Sequence, residues 1–397
     1  MFTLAITSGK IDEDVSPRFL RHFNTYAIPA PTTDNIFRIY FNVLSANLKK
    51  NLFAADVTGS VTSIANATID VYKSVMKTLR PVPNKLHYCF DMRDISRVIN
   101  GCGLIQKESV ETKITFIRLW VHEILRVFSD RMLEEGDKEW LFLRIRDAVK
   151  NNFKDSYEVA FDYLPKYENN QITKDSFDDL MFGNFMDTEK SGKCKRYEEI
   201  GSMEALKNRV VAYLDEYNAN FKRKMDVVVC RYMLQSLIKI SRVLSTPGGN
   251  VLAISTVGSG RKSTTALAAF MQQQSLFETT AESYYDSNAW RDGLRRVLRE
   301  CGALRKDVTY FMNERQMKDA FLSDISCLLS TGELPDLFSA EDRQRIIETT
   351  RLHAQGGDRN AEISARLVMS ETLHGELLSN LARSGALGDR REAYDVR

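Results

Sequence analysis

Val251-Leu252-Ala253-Ile254-Ser255-Thr256-Val257-Gly258-Ser259-Gly260-Arg261-Lys262-Ser263 is the stretch that decides how the chain is read. A short apolar run leads into a glycine-containing turn, and the helix-forming residues 263–271 follow. Strand, glycine-rich turn and helix, in that order, are the setting of a phosphate loop. Glycine lets backbone N–H groups approach phosphate oxygens, and the helix N-terminus adds partial positive charge. A cation reaches the outer phosphates and a hydroxyl ligates magnesium. The strict pattern G-x-x-x-x-G-K-[ST] fails in either register. With Gly260 as the second glycine, Ser255 replaces the first glycine, Arg261 the lysine and Lys262 the hydroxyl residue. Moved by one, Lys262-Ser263 fill the last two places, but Arg261 displaces the second glycine. On these residues alone a phosphate loop and a plain glycine-rich turn both stay open.

A second apolar run, Val308-Thr309-Tyr310-Phe311-Met312, ends in Asn313-Glu314. A fold built on a phosphate loop places acidic residues at the end of a neighbouring strand, to hold magnesium and position water. Asn313 stands in the metal-holding place and Glu314 in the water-activating place. An amide offers a metal only a neutral oxygen. Alone, Glu314 reads equally as a solvated residue after a strand.

Upstream, apolar residues recur at helical spacing. Residues 33–80 carry Ile36, Ile39, Tyr40, Val43 and Leu44, then Ile64, Ile69, Val71, Val75 and Leu79, until Pro81-Val82-Pro83-Asn84 breaks the pattern. A second helical block runs over about 90–153, with 114–132 as a strongly amphipathic helix. Residues 203–218 and 225–244 read as further helices. Residues from about 350 read as helical and polar.

The 397 residues include 55 basic and 53 acidic ones, a formal charge of +2. That balance disfavours nucleic acid as a partner and gives no polybasic membrane signal. No window approaches the ~18 apolar residues of a spanning helix. The N-terminal residues lack the charged and apolar regions of a secretory signal. Six cysteines without a C-x-x-C pair, and five scattered histidines, support neither a zinc site nor a disulfide framework. Reduced thiols of a cytosolic protein are the simpler reading.

Longer matches add to this reading. Residues 247–254, Gly258-Ser259-Gly260-Arg261 and Leu267-Ala268-Ala269-Phe270-Met271 resemble the fourth AAA+ module of axonemal dynein heavy chains. So do Phe321-Leu322-Ser323-Asp324-Ile325 and Gly332-Glu333-Leu334-Pro335-Asp336-Leu337-Phe338. In that module the family has arginine in the lysine place, which Arg261 matches. Residues 16–24 resemble the family's third module after its sensor strand, residues 87–98 that module's lid, and 118–128 a characteristic family stretch.

The resemblance spans about 2–348 and implies an α/β chain of partial P-loop AAA+ modules, predominantly helical, with a helical lid subdomain. It implies the end of the third module's large subdomain over 1–32, its lid over 33–165 and a connecting helical region over 166–245. A partial P-loop core over 246–348 and a divergent tail over 349–397 follow. The expectation is a piece of a longer heavy chain.

The resemblance also implies roles. Arg21 stands as an arginine finger reaching the preceding module's nucleotide, with Arg18 as the nearby alternative. Arg93 stands as the lid's sensor arginine. Arg97, one turn on, could share that task or simply pair with Asp94. Gly258, Ser259, Gly260, Arg261, Lys262 and Ser263 would hold ATP or ADP, Ser263 and Asn313 magnesium, and Glu314 the attacking water. The implied function is a weakly hydrolysing or non-hydrolysing, regulatory site of a motor ring driving microtubule-based movement of cilia. Its implied partners are the rest of the ring, intermediate and light chains, and microtubules, and its implied place is the axoneme. The other reading is a structural AAA+ module that hydrolyses nothing.

Overall fold

The computed structural model describes residues 16–24, 26–110, 112–153, 157–166, 172–186, 195–246, 249–278, 286–302, 306–313, 318–332, 334–355 and 365–372. Five long helices form the first half: α1 (Thr33–Lys50), α2 (Val61–Thr78), α3 (Met92–Cys102), α4 (Lys113–Val127) and α5 (Glu135–Asn152). Their starts are written locally. Thr32 and Thr112 each accept a backbone N–H of the first turn, and Asp91 with Asp94 forms a capping box.

The apolar stripe of α1 is narrower than its sequence suggests. Ile36, Tyr40, Leu44 and Leu48 are buried, whereas Ile39 and Val43 face solvent. The buried set steps by four, which is one line along a helix. The helical block expected over 90–153 is three helices. The expected amphipathic helix ends at Val127, and residues Ser129–Arg131 form a separate 3-10 turn. Trp120 lies at the centre of this body, fully buried, its indole N–H donating to Thr68 Oγ1 at 2.8 Å.

The second half is built on a parallel sheet. Its strands are β1 (Val251–Ser255), β2 (Ser275–Glu278), β3 (Val308–Asn313) and β4 (Ala365–Thr372), in the order β1-β4-β3-β2. Parallel neighbours need crossovers, and helices supply them. These are α8 (Arg261–Met271) between β1 and β2, α9 (Ser287–Gly302) between β2 and β3, and α10 (Asp319–Thr331) with α11 (Ala340–Gln355) between β3 and β4. Residues 308–312 of β3 are all buried, as a central strand covered on both faces requires.

β4 corrects the expectation of a divergent helical and polar tail from 349. Residues 365–372 form the strand that separates β1 from β3, in parallel register with both. The preceding helices, α6 (Met203–Asn220) and α7 (Arg231–Ser245), also belong to this half. Leu234, Leu237, Ile238 and Leu244 of α7 pack with Leu267, Ala268 and Met271 of α8 in one core. The hydrophobic core thus begins well before residue 246, where the sequence reading placed the P-loop core.

The two halves are tied by charge. Glu123 of α4 is fully buried and accepts from Arg242 Nε of α7 at 3.1 Å and from the hydroxyl of Tyr197 at 3.1 Å. Arg242 Nη2 holds the other carboxylate oxygen. Asp130 binds Arg126 at 3.4 Å and Lys239 of α7 at 2.9 Å. Gly101 of α3 makes room for this pair: a Cβ there would lie 1.8 Å from Glu123 Oε2.

Candidate nucleotide site

The carboxyl ends of parallel strands lie on one side of a sheet, and ligands of open α/β folds bind there. In this chain that side collects the turn after Ser255, Glu278 at the end of β2 and Asn313 at the end of β3. The turn takes the first of the two registers. Gly260 immediately precedes α8, and Arg261 is its first residue. Gly258 and Gly260 both have left-handed backbone, with φ of +85° and +78°. A Cβ at Gly258 would touch nothing within 4 Å, so glycine is required there by conformation and not by space. The carbonyl of Gly260 is taken by Thr264, through its N–H at 2.9 Å and its hydroxyl at 3.0 Å.

The three departures from the strict pattern have visible consequences. Ser255 hydrogen-bonds Ser259 across the turn through their hydroxyls, closing the loop with side chains where the pattern has none. Arg261 is half-buried, and its Nη1 is buried without a hydrogen-bond partner among the described residues. A buried donor without an acceptor is costly, and an anion bound at the loop would relieve that cost. Lys262 is half-exposed and ion-paired with Glu278. Ser263 is part-buried in the first turn of α8, and Asn313 is exposed. β4 lies between β1 and β3, which sets their backbones about 10 Å apart.

The other expected residues lie elsewhere. Arg93 is exposed at the start of α3, and its N–H donates to Asp91 at 2.8 Å as part of the cap. Arg97 takes the structural alternative, pairing with buried Asp94 at 3.0 Å, an acceptor it shares with Arg131. Arg18 and Arg21 are exposed on and just after a four-residue helix, with Arg21 Nε 3.4 Å from His22 Nε2. Glu314 lies outside the described residues. A cleft of about 820 Å³ opens at the opposite end of α8, lined by Lys195, Tyr217, Phe221, Phe270 and Gln274.

Three features escaped the sequence reading. Glu278 reads as an ordinary charged residue until the sheet brings it to Lys262. β4 had only Leu367-Val368-Met369 as an apolar signal. Glu123 is the one whose sequence could have spoken, because it follows His122 inside the otherwise apolar stretch from Leu119 to Leu125. Burial keeps its neighbours in fixed states. It lowers His122 well below the ordinary imidazole value, helped by the charges of Arg126 and Arg242. It raises Tyr197, helped by the Glu123 carboxylate. For Arg242 burial pulls downward, and the charge and hydrogen bonds of Glu123 outweigh it. No group of three or more histidine, cysteine or acidic side chains suited to a metal occurs among the described residues. No helix among them is long and apolar enough to cross a membrane.

Comparison with known proteins agrees with this architecture. Residues 225–374 match the P-loop containing dynein motor region D4, and residues 64–164 match the AAA+ lid domain. The first match runs through β4, beyond the point at which the sequence resemblance stopped. Mouse dynein axonemal heavy chain 12 is 40% identical over 284 residues, which is 72% of this chain and 9% of the relative. The rat protein of the same name is 38% identical over 318 residues, 79% of this chain and 10% of the relative. Human dynein axonemal heavy chain 3 is 30% identical over 352 residues, 88% and 8% of the two chains. The chain spans about a tenth of the length of these curated relatives. It carries an AAA+ lid followed by the P-loop dynein motor region D4, and by fold and sequence it belongs with the axonemal dynein heavy chains.

Proposed function

We propose that the chain contributes a nucleotide-holding, regulatory site to the ring of an axonemal dynein, and that this site hydrolyses ATP slowly or not at all. The observation that carries the reading is the loop itself. Two left-handed glycines, and an arginine with a nitrogen unsatisfied among the described residues, stand at the N-terminus of α8, on the carboxyl side of a parallel sheet. Backbone N–H groups there suit phosphate oxygens, and a guanidinium is always charged. Gly258, Ser259, Gly260, Arg261, Lys262 and Ser263 form the cradle for ATP or ADP.

Slow turnover follows from the donors available for a metal. Magnesium prefers an octahedron of oxygens with carboxylate among them. The Ser263 hydroxyl and the Asn313 amide are neutral, and the carboxylate of Glu278 is already held by Lys262. These residues fit a firmly bound magnesium ion poorly. Glu314 is proposed as the carboxylate nearest the attacking water, Arg93 as the lid's contact to the nucleotide of its own, third module, and Arg21 as a finger to the nucleotide of the module preceding that one. In the assembled motor the partners would be the remaining ring modules, intermediate and light chains, and microtubules of the axoneme.

Titration of the 397-residue chain with ADP tests the reading. Arg261→Ala is expected to weaken binding at least about tenfold, the worth of a charge-assisted contact, with the thermal midpoint unchanged. Equal affinity in the two proteins would leave the structural-module reading in its place.

A further inference from the structure

We propose that Lys262 takes the place of the divalent cation, so that this site holds a nucleoside di- or triphosphate without magnesium. The inference rests on the nucleotide reading above and deepens it. Lys262 is the second residue of α8, where a phosphate loop carries its metal-ligating hydroxyl. An ammonium group stands there instead, and Glu278 at the carboxyl end of β2 holds it. An ammonium has three N–H donors and no acceptor. Glu278 occupies one, and two remain for phosphate oxygens.

The site is built for one cation of this kind and not for two. A magnesium ion beside Lys262 would meet a like charge at short range, and the Ser263 hydroxyl and the Asn313 amide would offer it neutral oxygens. The strand-end residue that would favour a metal as a carboxylate is the amide Asn313 here, while the carboxylate at the end of β2, Glu278, is held by the lysine. The loss of the metal's hydroxyl, the loss of its acidic residue and the gain of a tethered ammonium are thus one change in charge arrangement. Arg261 and Lys262 together supply the positive charge that the phosphates need.

The experiment is calorimetric titration of the 397-residue chain with ADP, once in magnesium buffer and once in EDTA. Wild-type affinity is expected to agree within about twofold between the two buffers. Lys262→Ser restores the hydroxyl. It is expected to bind about tenfold more weakly in EDTA and to recover in magnesium. Lys262→Met keeps the length without the charge and is expected to stay weak in both. The side chain is about half exposed, so both variants should fold normally. A wild-type affinity that falls about tenfold on chelation would overturn the inference while leaving nucleotide binding intact. An unchanged affinity of Lys262→Ser in EDTA would overturn it as well. Absence of ADP binding by the wild-type chain in either buffer would overturn the nucleotide reading itself, and the inference with it.

Discussion

In the lid, Glu123 is fully buried and both its oxygens are taken, by Arg242 and Tyr197. In the loop, Lys262 and Glu278 are 48% and 40% exposed, and Arg261 keeps a buried nitrogen without a hydrogen-bond partner among the described residues. Both regions place charge at a helix, yet they satisfy it differently. A charge taken fully out of water is tolerated only when paired. Glu123 obeys that rule and gives a fixed joint between α4 and α7. The loop leaves the Lys262 ammonium partly open at the surface, where a bound anion can share its N–H donors with Glu278. The closed pair at Glu123 holds shape, and the exposed Lys262 ammonium is free to meet a ligand as well as Glu278.

The comparison is open to attack by substitution. The largest effect is expected from Glu123→Ala, which strands Arg242 in the interior. Loss of one partner of a buried pair costs about 3–5 kcal/mol. Urea unfolding of the two proteins measures it, and a difference below about 1 kcal/mol would show that water reaches the pair. Gly101→Ala should come next. Its new methyl group must displace the Glu123 carboxylate, an overpacking worth about 1–3 kcal/mol. In the Glu123→Ala background the same change should cost much less, and a double-mutant cycle reads that coupling.

In the loop, Gly260→Ala forces a side chain into left-handed backbone, at about 1–2 kcal/mol, with little dependence on Glu123. Thermal unfolding of single and double variants would reveal any coupling between loop and lid. The smallest effect is expected from pH. His122 is buried neutral, so its folded value lies below the unfolded value near 6.5. The unfolded chain then binds the extra proton first as acid is added. This contribution to stability is complete above about pH 6.5 and declines below it, by at most about 1.4 kcal/mol per unit. His87, also lowered by burial, acts in the same direction. Denaturation curves at stepwise lower pH should fall less steeply for His122→Gln.

The lid was the more legible half. The periodicity of α2 named Ile64, Ile69, Val71 and Val75, and all four are buried. A helix buries its residues by a local repeat, so sequence spacing carries the information. Ile39 and Val43 fitted the same spacing and are exposed, because the width of a stripe depends on what packs against it. The loop was legible as strand, turn and helix, and its register was not. Only the left-handed backbone of Gly260, directly before α8, chooses between the two alignments. β4 was missed because residues 365–372 carry a weak local signal, while the place of a strand in a sheet is fixed by distant neighbours.

The sequence by itself determined the helical lid, the glycine turn between β1 and α8, the strand ending at Asn313 and the kinship with the dynein heavy chains. Each of these is recorded in residues close together along the chain. Only the tertiary structure decided that β4 divides β1 from β3, that Glu123 meets Arg242, and that Lys262 meets Glu278. Those pairings join residues 16 to more than 100 positions apart. Their partners are selected by which apolar faces pack together, and no local pattern of residue types encodes that choice.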